Sequence, residues 1–217
     1  MVRNIFNIFV VFIVIIVNQP FCSSGEIIED VKGENIFEFG IHPSLRLMEF
    51  HLYGNDSNII ERIEIRWKES QKNIQVIEPQ MGEPPYRGSE YFKAADFNFD
   101  GYKDIRLLSW WGATGNKGYE IWTYDPKKRI FVHNKELSGL GNPHPDYEKK
   151  EIHTFGKCGH AGKIYGKGVW KYIDGKLTLT RTESQDWIKE KGYYLKTVKK
   201  LRDGKLVIVN ERIIPLQ

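Results

Sequence analysis

Asp96-Phe97-Asn98-Phe99-Asp100-Gly101-Tyr102-Lys103-Asp104 runs directly into Ile105-Arg106-Leu107-Leu108-Ser109-Trp110. Oxygen-bearing side chains stand at loop positions 1, 3, 5 and 9, with glycine at position 6. A backbone coiled around a calcium ion points such residues the same way. Glycine permits the sharp turn, and a main-chain carbonyl, here that of Tyr102, supplies a further oxygen. The predicted ligands are therefore Asp96, Asn98, Asp100, the Tyr102 carbonyl and Asp104, and the predicted cofactor is Ca2+. A helix-loop-helix site closes with Glu at position 12, but position 12 is Leu107. Asp104 is left as the closing, bidentate ligand. The segment after it lacks helical caps and reads as a strand, so the loop feeds a sheet.

Outward from this loop the chain reads as strands separated by turns. Met48, Phe50 and Leu52 alternate with Leu47, Glu49 and His51, which places the first set toward a core. Ile63, Ile65 and Trp67 alternate in the same way with Arg62, Glu64 and Arg66. Further strands are predicted at 35–41, 73–77, 119–124, 129–133 and 151–155. Asp174-Gly175 joins a hairpin of 163–173 with 176–182, and Arg202-Asp203-Gly204 joins 193–199 with 205–211. One helical turn is predicted within 185–191. No helix is long enough for a strand-helix-strand unit. The fold class is all-β and antiparallel: a sandwich, a barrel or irregular, propeller-like sheets.

The 217 residues suffice for one good core, and aromatic residues at 13% suit a β protein. The formal charge is +4, with basic and acidic residues mixed along the sequence, so no basic patch for nucleic acid is apparent. Arg3 followed by the apolar run Ile5 to Val17 and the breaker Asn18-Gln19-Pro20 reads as an export signal. Cleavage after Ser24 leaves 25–217 as a single β domain, periplasmic or secreted, with no integral membrane segment. A lipoprotein acylated at Cys22 is the rival reading, although Gln19-Pro20-Phe21 is a poor approach to that cysteine. The other cysteine is Cys158, so cleavage after Ser24 leaves no partner for a disulfide.

The loop from Ala94 to Ile105 resembles the calcium loop of FG-GAP and integrin-type propeller blades. The longer run resembles a family of bacterial periplasmic immunity proteins. It includes Gly115-Asn116, Trp122, Tyr124-Asp125, Glu136-Leu137-Ser138, Asn142-Pro143 and Tyr172-Ile173-Asp174-Gly175. The resemblance covers about 92 to 182. It implies a single calcium loop on an irregular propeller-like fold. It also implies inhibition of peptidoglycan hydrolases (lysozyme-type enzymes) delivered through a type IV secretion system. The partner expected is then a secreted peptidoglycan hydrolase, and the chain itself is expected not to be an enzyme. Of the family's functional residues, the resemblance carries over the loop ligands alone.

No catalytic constellation stands out. Cys158-Gly159-His160 puts a thiol beside an imidazole, but such close neighbours seldom align as nucleophile and base. Two glycine-rich loops carry donors suited to an acidic catalytic pair. One is Gly156 to Gly162, with Lys157 and His160. The other is Ala113 to Gly118, with Asn116 and Lys117. Each reads equally as an ordinary surface loop. Trp110, Trp111 and Trp122 suit either core packing or stacking on sugar. A glycan-binding or adhesion module is therefore the alternative function, and a hydrolase a more distant one.

Overall fold

The computed structural model describes residues 27–29, 34–54, 59–80 and 91–216. The expected leader, with Cys22 and Ser24, lies outside the described residues.

Alternating apolar residues build three antiparallel sheets in chain order. The first contains β1 (Ile27–Glu29), β2 (Glu34–Phe39), β3 (Met48–Gly54), β4 (Ile60–Trp67) and β5 (Asn73–Ile77). The second contains β6 (Phe92–Ala95), β7 (Asp104–Trp111), β8 (Lys117–Asp125) and β9 (Ile130–His133). A single helical turn, α1 (Lys135–Ser138), follows, capped where the Asn134 side chain accepts from the Leu137 N–H at 3.0 Å. The third sheet contains β10 (His144–Asp146), β11 (Glu151–Gly159), β12 (Ile164–Ile173), β13 (Lys176–Ile188), β14 (Tyr193–Arg202) and β15 (Lys205–Pro215). Within each sheet, every strand pairs with its neighbours in sequence. Among the described residues the sheets close into neither a barrel nor a propeller.

All three sheets feed one core. Met48, Phe50, Leu52, Ile63 and Ile65 come from the first and are fully buried, as their alternation requires. Phe92, Ile105, Tyr119 and Phe131 come from the second, and Ile152 and Leu177 from the third. Phe92 sits among Phe37, Phe39 and Phe50, with ring centroids 5.0–5.8 Å apart. Such tilted and edge-on contacts add to the burial of large rings.

Two side-chain amides tie the sheets together by imitating a strand. Gln75 on β5 donates to the Phe131 carbonyl and accepts from the Phe131 N–H, both at 2.8 Å. Asn116, beside β8, does the same to Lys157 on β11, again at 2.8 Å each way. Each clasp satisfies both backbone groups of one residue that would otherwise lack a ladder partner.

The turns follow their residues. Asp174-Gly175 and Asp203-Gly204 hold φ of 50° and 76°, and 47° and 75°, the left-handed pair that a tight hairpin demands. The helical turn expected within 185–191 is different. Gln185 to Ile188 continue β13, paired with Tyr193 to Lys196, and a short 3-10 turn is confined to Lys189–Lys191. Cross-strand pairing there overrides local propensity. The loop expected at 156–162 is likewise mostly strand: Gly156 pairs with Gly166 and Lys157 with Tyr165, leaving a turn at His160–Gly162.

Candidate metal centre and partner surface

The predicted metal loop lies where the three sheets meet. β6 ends at Ala95 and β7 begins at Asp104, with the loop as their hairpin connection. Phe97 is fully buried and anchors the loop in the core. The Lys103 N–H donates to the Ile41 carbonyl at 2.8 Å, and the Tyr102 ring stacks on His42 at 4.3 Å, which joins the first sheet. The Asp96 N–H donates to the Tyr147 hydroxyl at 3.3 Å, and Phe99 meets the Tyr147 ring, which joins the third.

Inside the loop the carboxylates are organised by backbone donors. Asp96 accepts from the Gly101 N–H at 2.9 Å and the Asp100 N–H at 3.3 Å. The Asn98 side-chain oxygen accepts from the Asp100 N–H at 3.2 Å, and Asp100 accepts from the Tyr102 N–H at 2.8 Å. Gly101 adopts φ of 92°, where a side chain would be strained. Asp104 is fully buried; its two oxygens accept from the Phe97 and Tyr124 N–H groups at 2.8 and 2.9 Å. Each of those oxygens keeps a further lone pair. Asp96, Asp100 and Asp104 form no ion pair with a lysine or arginine among the described residues. A set of hard oxygens with no cation to balance it fits Ca2+.

Burial pushes the Asp104 carboxyl up to about 7, against the lowering effect of its two N–H partners, with Asp96 and Asp100 adding repulsion. Burial, again the largest cause, also raises Asp96. A raised folded pKa means that the ion-free fold is favoured while these groups are protonated. That advantage is lost as pH rises from the ordinary carboxylate value toward 7. Bound Ca2+ would reverse the sense, because its ligands must be ionised. In chelator, the melting temperature is therefore expected to be higher at pH 5 than at pH 8. The increase caused by added Ca2+ is expected to be larger at pH 8. Melts at both pH values, with and without Ca2+, check this.

The two candidate partner loops are neighbours in space. The β7–β8 hairpin carries Trp110, Trp111 and Lys117 around its tip, and its Asn116 grips Lys157. Asn116 therefore positions one loop against the other. The Lys117 ammonium lies 4.3 Å from the centre of the Trp111 ring. Trp110 and Trp111 are each 42% exposed, large for tryptophan. The Trp110 indole lies over Gly118, where a Cβ would fall 1.9 Å from its Nε1, so glycine is required beneath it. The Lys157 stem runs over Gly162, and Lys157 forms no ion pair among the described residues. His160 is engaged with its own sheet: its Nδ1 is 2.9 Å from the Tyr194 hydroxyl, and its ring centre is 5.4 Å from that of Trp187. The four residues singled out from sequence thus divide into a lysine over a tryptophan ring, a lysine with no ion pair among the described residues, a clasp and a histidine bonded to its own sheet. Trp110 and Trp111 complete the surface; sequence alone left them between core and surface roles.

No protein-family model matches the sequence, and no curated protein matches it. One solved structure shares the fold. It is described as the structure of a Xanthomonas type IV secretion system related protein, and it aligns with a TM-score of 0.58 at 15% identity. The likeness covers 86% of this chain and 98% of that one. At this identity the resemblance is one of all-β architecture.

Two further groups lie apart from the loop. Asp146, Glu151 and His153 bring their ligand atoms within 4.8 Å of one another, the tightest such group among the described residues; the loop carboxylates are spread more widely. However, Lys149 contacts Asp146 at 3.2 Å and Lys171 contacts Glu151 at 3.0 Å. Their charge is already balanced, and the group reads as an ion-pair network. Cys158 is exposed and forms no disulfide among the described residues, at the bulge between Lys157 and Gly159. Cys158→Ser is expected to shift stability by no more than about 0.5 kcal/mol; a urea melt checks it. No helix among the described residues is long and apolar enough to cross a membrane.

Proposed function

We propose that this chain is an exported, calcium-stabilised inhibitor that occupies the cleft of a secreted peptidoglycan hydrolase. The observation that carries the proposal is the β7–β8 hairpin: two exposed tryptophans, Lys117 against one of them, and Lys157 fastened alongside. Aromatic anchors beside cations are the residue types that dominate tight interfaces, and glycosidase clefts present paired carboxylates to receive them. The fold is supporting context, because the structural neighbour bears a description that relates it to type IV secretion. Calcium, in this reading, fixes the loop that joins the sheets and takes no part in contact with the enzyme.

The test is a turbidity assay on purified peptidoglycan, using the secreted hydrolase encoded nearest to this chain's own gene. Stoichiometric loss of hydrolase activity in the presence of Ca2+ is the expected result. Retention of the chain on peptidoglycan without inhibition favours the glycan-binding alternative, for which exposed tryptophans are also suited. Clearing of peptidoglycan by the chain alone makes it the hydrolase.

A further inference from the structure

The third sheet sorts its charges by face. Register along β11–β15 places Lys167, Lys171, Arg181, Lys196, Lys200 and Arg212 on the outer face, away from Ile152, Trp170 and Leu177. The carboxylates sharing that face are Asp146, Glu151 and Glu183. Glu183 lies between Lys196 at 2.8 Å and Lys167 at 3.6 Å, so the acids are outnumbered where they stand. The opposite face of the same strands carries Lys199 against Asp186 and Glu211.

Two single-residue bulges maintain the separation. The register of β13 shifts at Thr180, between Arg181 and Leu179, and that of β15 shifts at Val209, between Asn210 and Ile208. A regular strand would turn Lys176 away from Arg181, and Lys205 away from Arg212, because an odd number of steps separates each pair. The bulges return Lys176 and Lys205 to the outer face, where Arg202 pairs with Lys205. Lys176, Arg181, Lys200, Arg202, Lys205 and Arg212 are exposed, and none forms an ion pair among the described residues.

From this we infer that the outer face of the third sheet docks on a bilayer carrying anionic phospholipid headgroups. Charge complementarity points to an extended anionic surface, because β13 alone runs roughly 40 Å. Lysines predominate over arginines, which suits diffuse headgroup charge and lacks the fixed forks used to grip a single phosphate. Ile173 and Val207 lie exposed among the cations on the same face, at 42% and 36%, and offer apolar contact at headgroup level. The aromatic rings near the far end, Trp187 and Tyr194, pack on one another at 4.9 Å, so they make no stacking platform for nucleobases.

The experiment is co-sedimentation of the full mature chain with vesicles of phosphatidylglycerol and phosphatidylethanolamine, beside vesicles of phosphatidylcholine alone. Binding to the anionic vesicles only, released at 1 M salt, is expected. Each basic residue at such a surface contributes about fivefold in partitioning. The triple variant Lys200→Gln, Arg202→Gln, Arg212→Gln is therefore expected to lose about a hundredfold. Lys72→Gln, Lys127→Gln, Lys199→Gln removes equal charge away from this face and is expected to bind as wild type does. Equal loss in both variants, or binding to a soluble anionic polymer with none to the anionic vesicles, overturns the inference. Circular dichroism melts of both variants exclude unfolding as the cause of any loss.

Discussion

Asp104→Ala melts far below the wild-type protein, whether or not Ca2+ is added: that is the expected result of removing the residue at the centre of the fold. Its two oxygens serve the Phe97 and Tyr124 N–H groups, both in buried surroundings. Orphaning a buried donor costs about 1–3 kcal/mol, so two cost about 2–6 kcal/mol. With Ca2+ bound as proposed, its loss would add about 2.7 kcal/mol where Ca2+ stands a hundredfold above its Kd. Small domains hold only about 5–15 kcal/mol in all. Asp100→Ala separates the two contributions. Asp100 is exposed, and its two hydrogen bonds, from the Tyr102 N–H and the Asn98 side-chain amide, are exposed as well, so this variant is expected to resemble wild type in chelator. A wild-type melt that ignores chelator removes calcium from the account. A melt of Asp104→Ala in chelator that matches wild type in chelator removes the buried-donor argument as well.

Trp110→Ala with Trp111→Ala is expected to abolish hydrolase inhibition while leaving the melt nearly unchanged. Both indoles are substantially solvent-exposed, so truncation leaves no core cavity. At an interface, aromatic anchors of this kind cost about 2–4 kcal/mol each on truncation, roughly thirtyfold to a thousandfold in affinity. Lys117→Ala is expected to cost less, because a rim cation acts mainly on association rate. Asn116→Ala tests the mounting of the tip, since it releases both bonds to Lys157. The readout is titration of hydrolase activity at fixed Ca2+. Full inhibition by the folded double variant would remove the hairpin from the contact surface.

Some of this was written plainly in the sequence. Strict alternation in Met48–Leu52 and Ile63–Ile65 announced buried faces, and those side chains are buried. Asp174-Gly175 announced its turn by chemistry, because few other pairs tolerate two left-handed residues. Other features depend on partners remote in sequence. Nothing local to Asn116 says that it will take the place of a strand for Lys157. Nothing local to His160 says that it will meet Trp187 and Tyr194. The charge of the third sheet was invisible for a simpler reason. Along the sequence its acids and bases interleave, and only register, corrected for two bulges, sorts them by face.

The meander within each sheet also dictates an order of assembly. Hairpins between consecutive strands close short loops, and short closures cost the least chain entropy. Each sheet can therefore form from its own segment as that segment becomes available. Contacts that bridge distant parts of the chain are different: Lys103 to Ile41, Asp96 to Tyr147, Gln75 to Phe131, Asn116 to Lys157. They come together only when preformed sheets collide and dock. The loop at their junction makes two of them, so an ion bound there would act late, as a clamp on finished pieces. Such a clamp would slow disassembly more than it speeds folding, and the protein's lifetime would then follow the calcium around it.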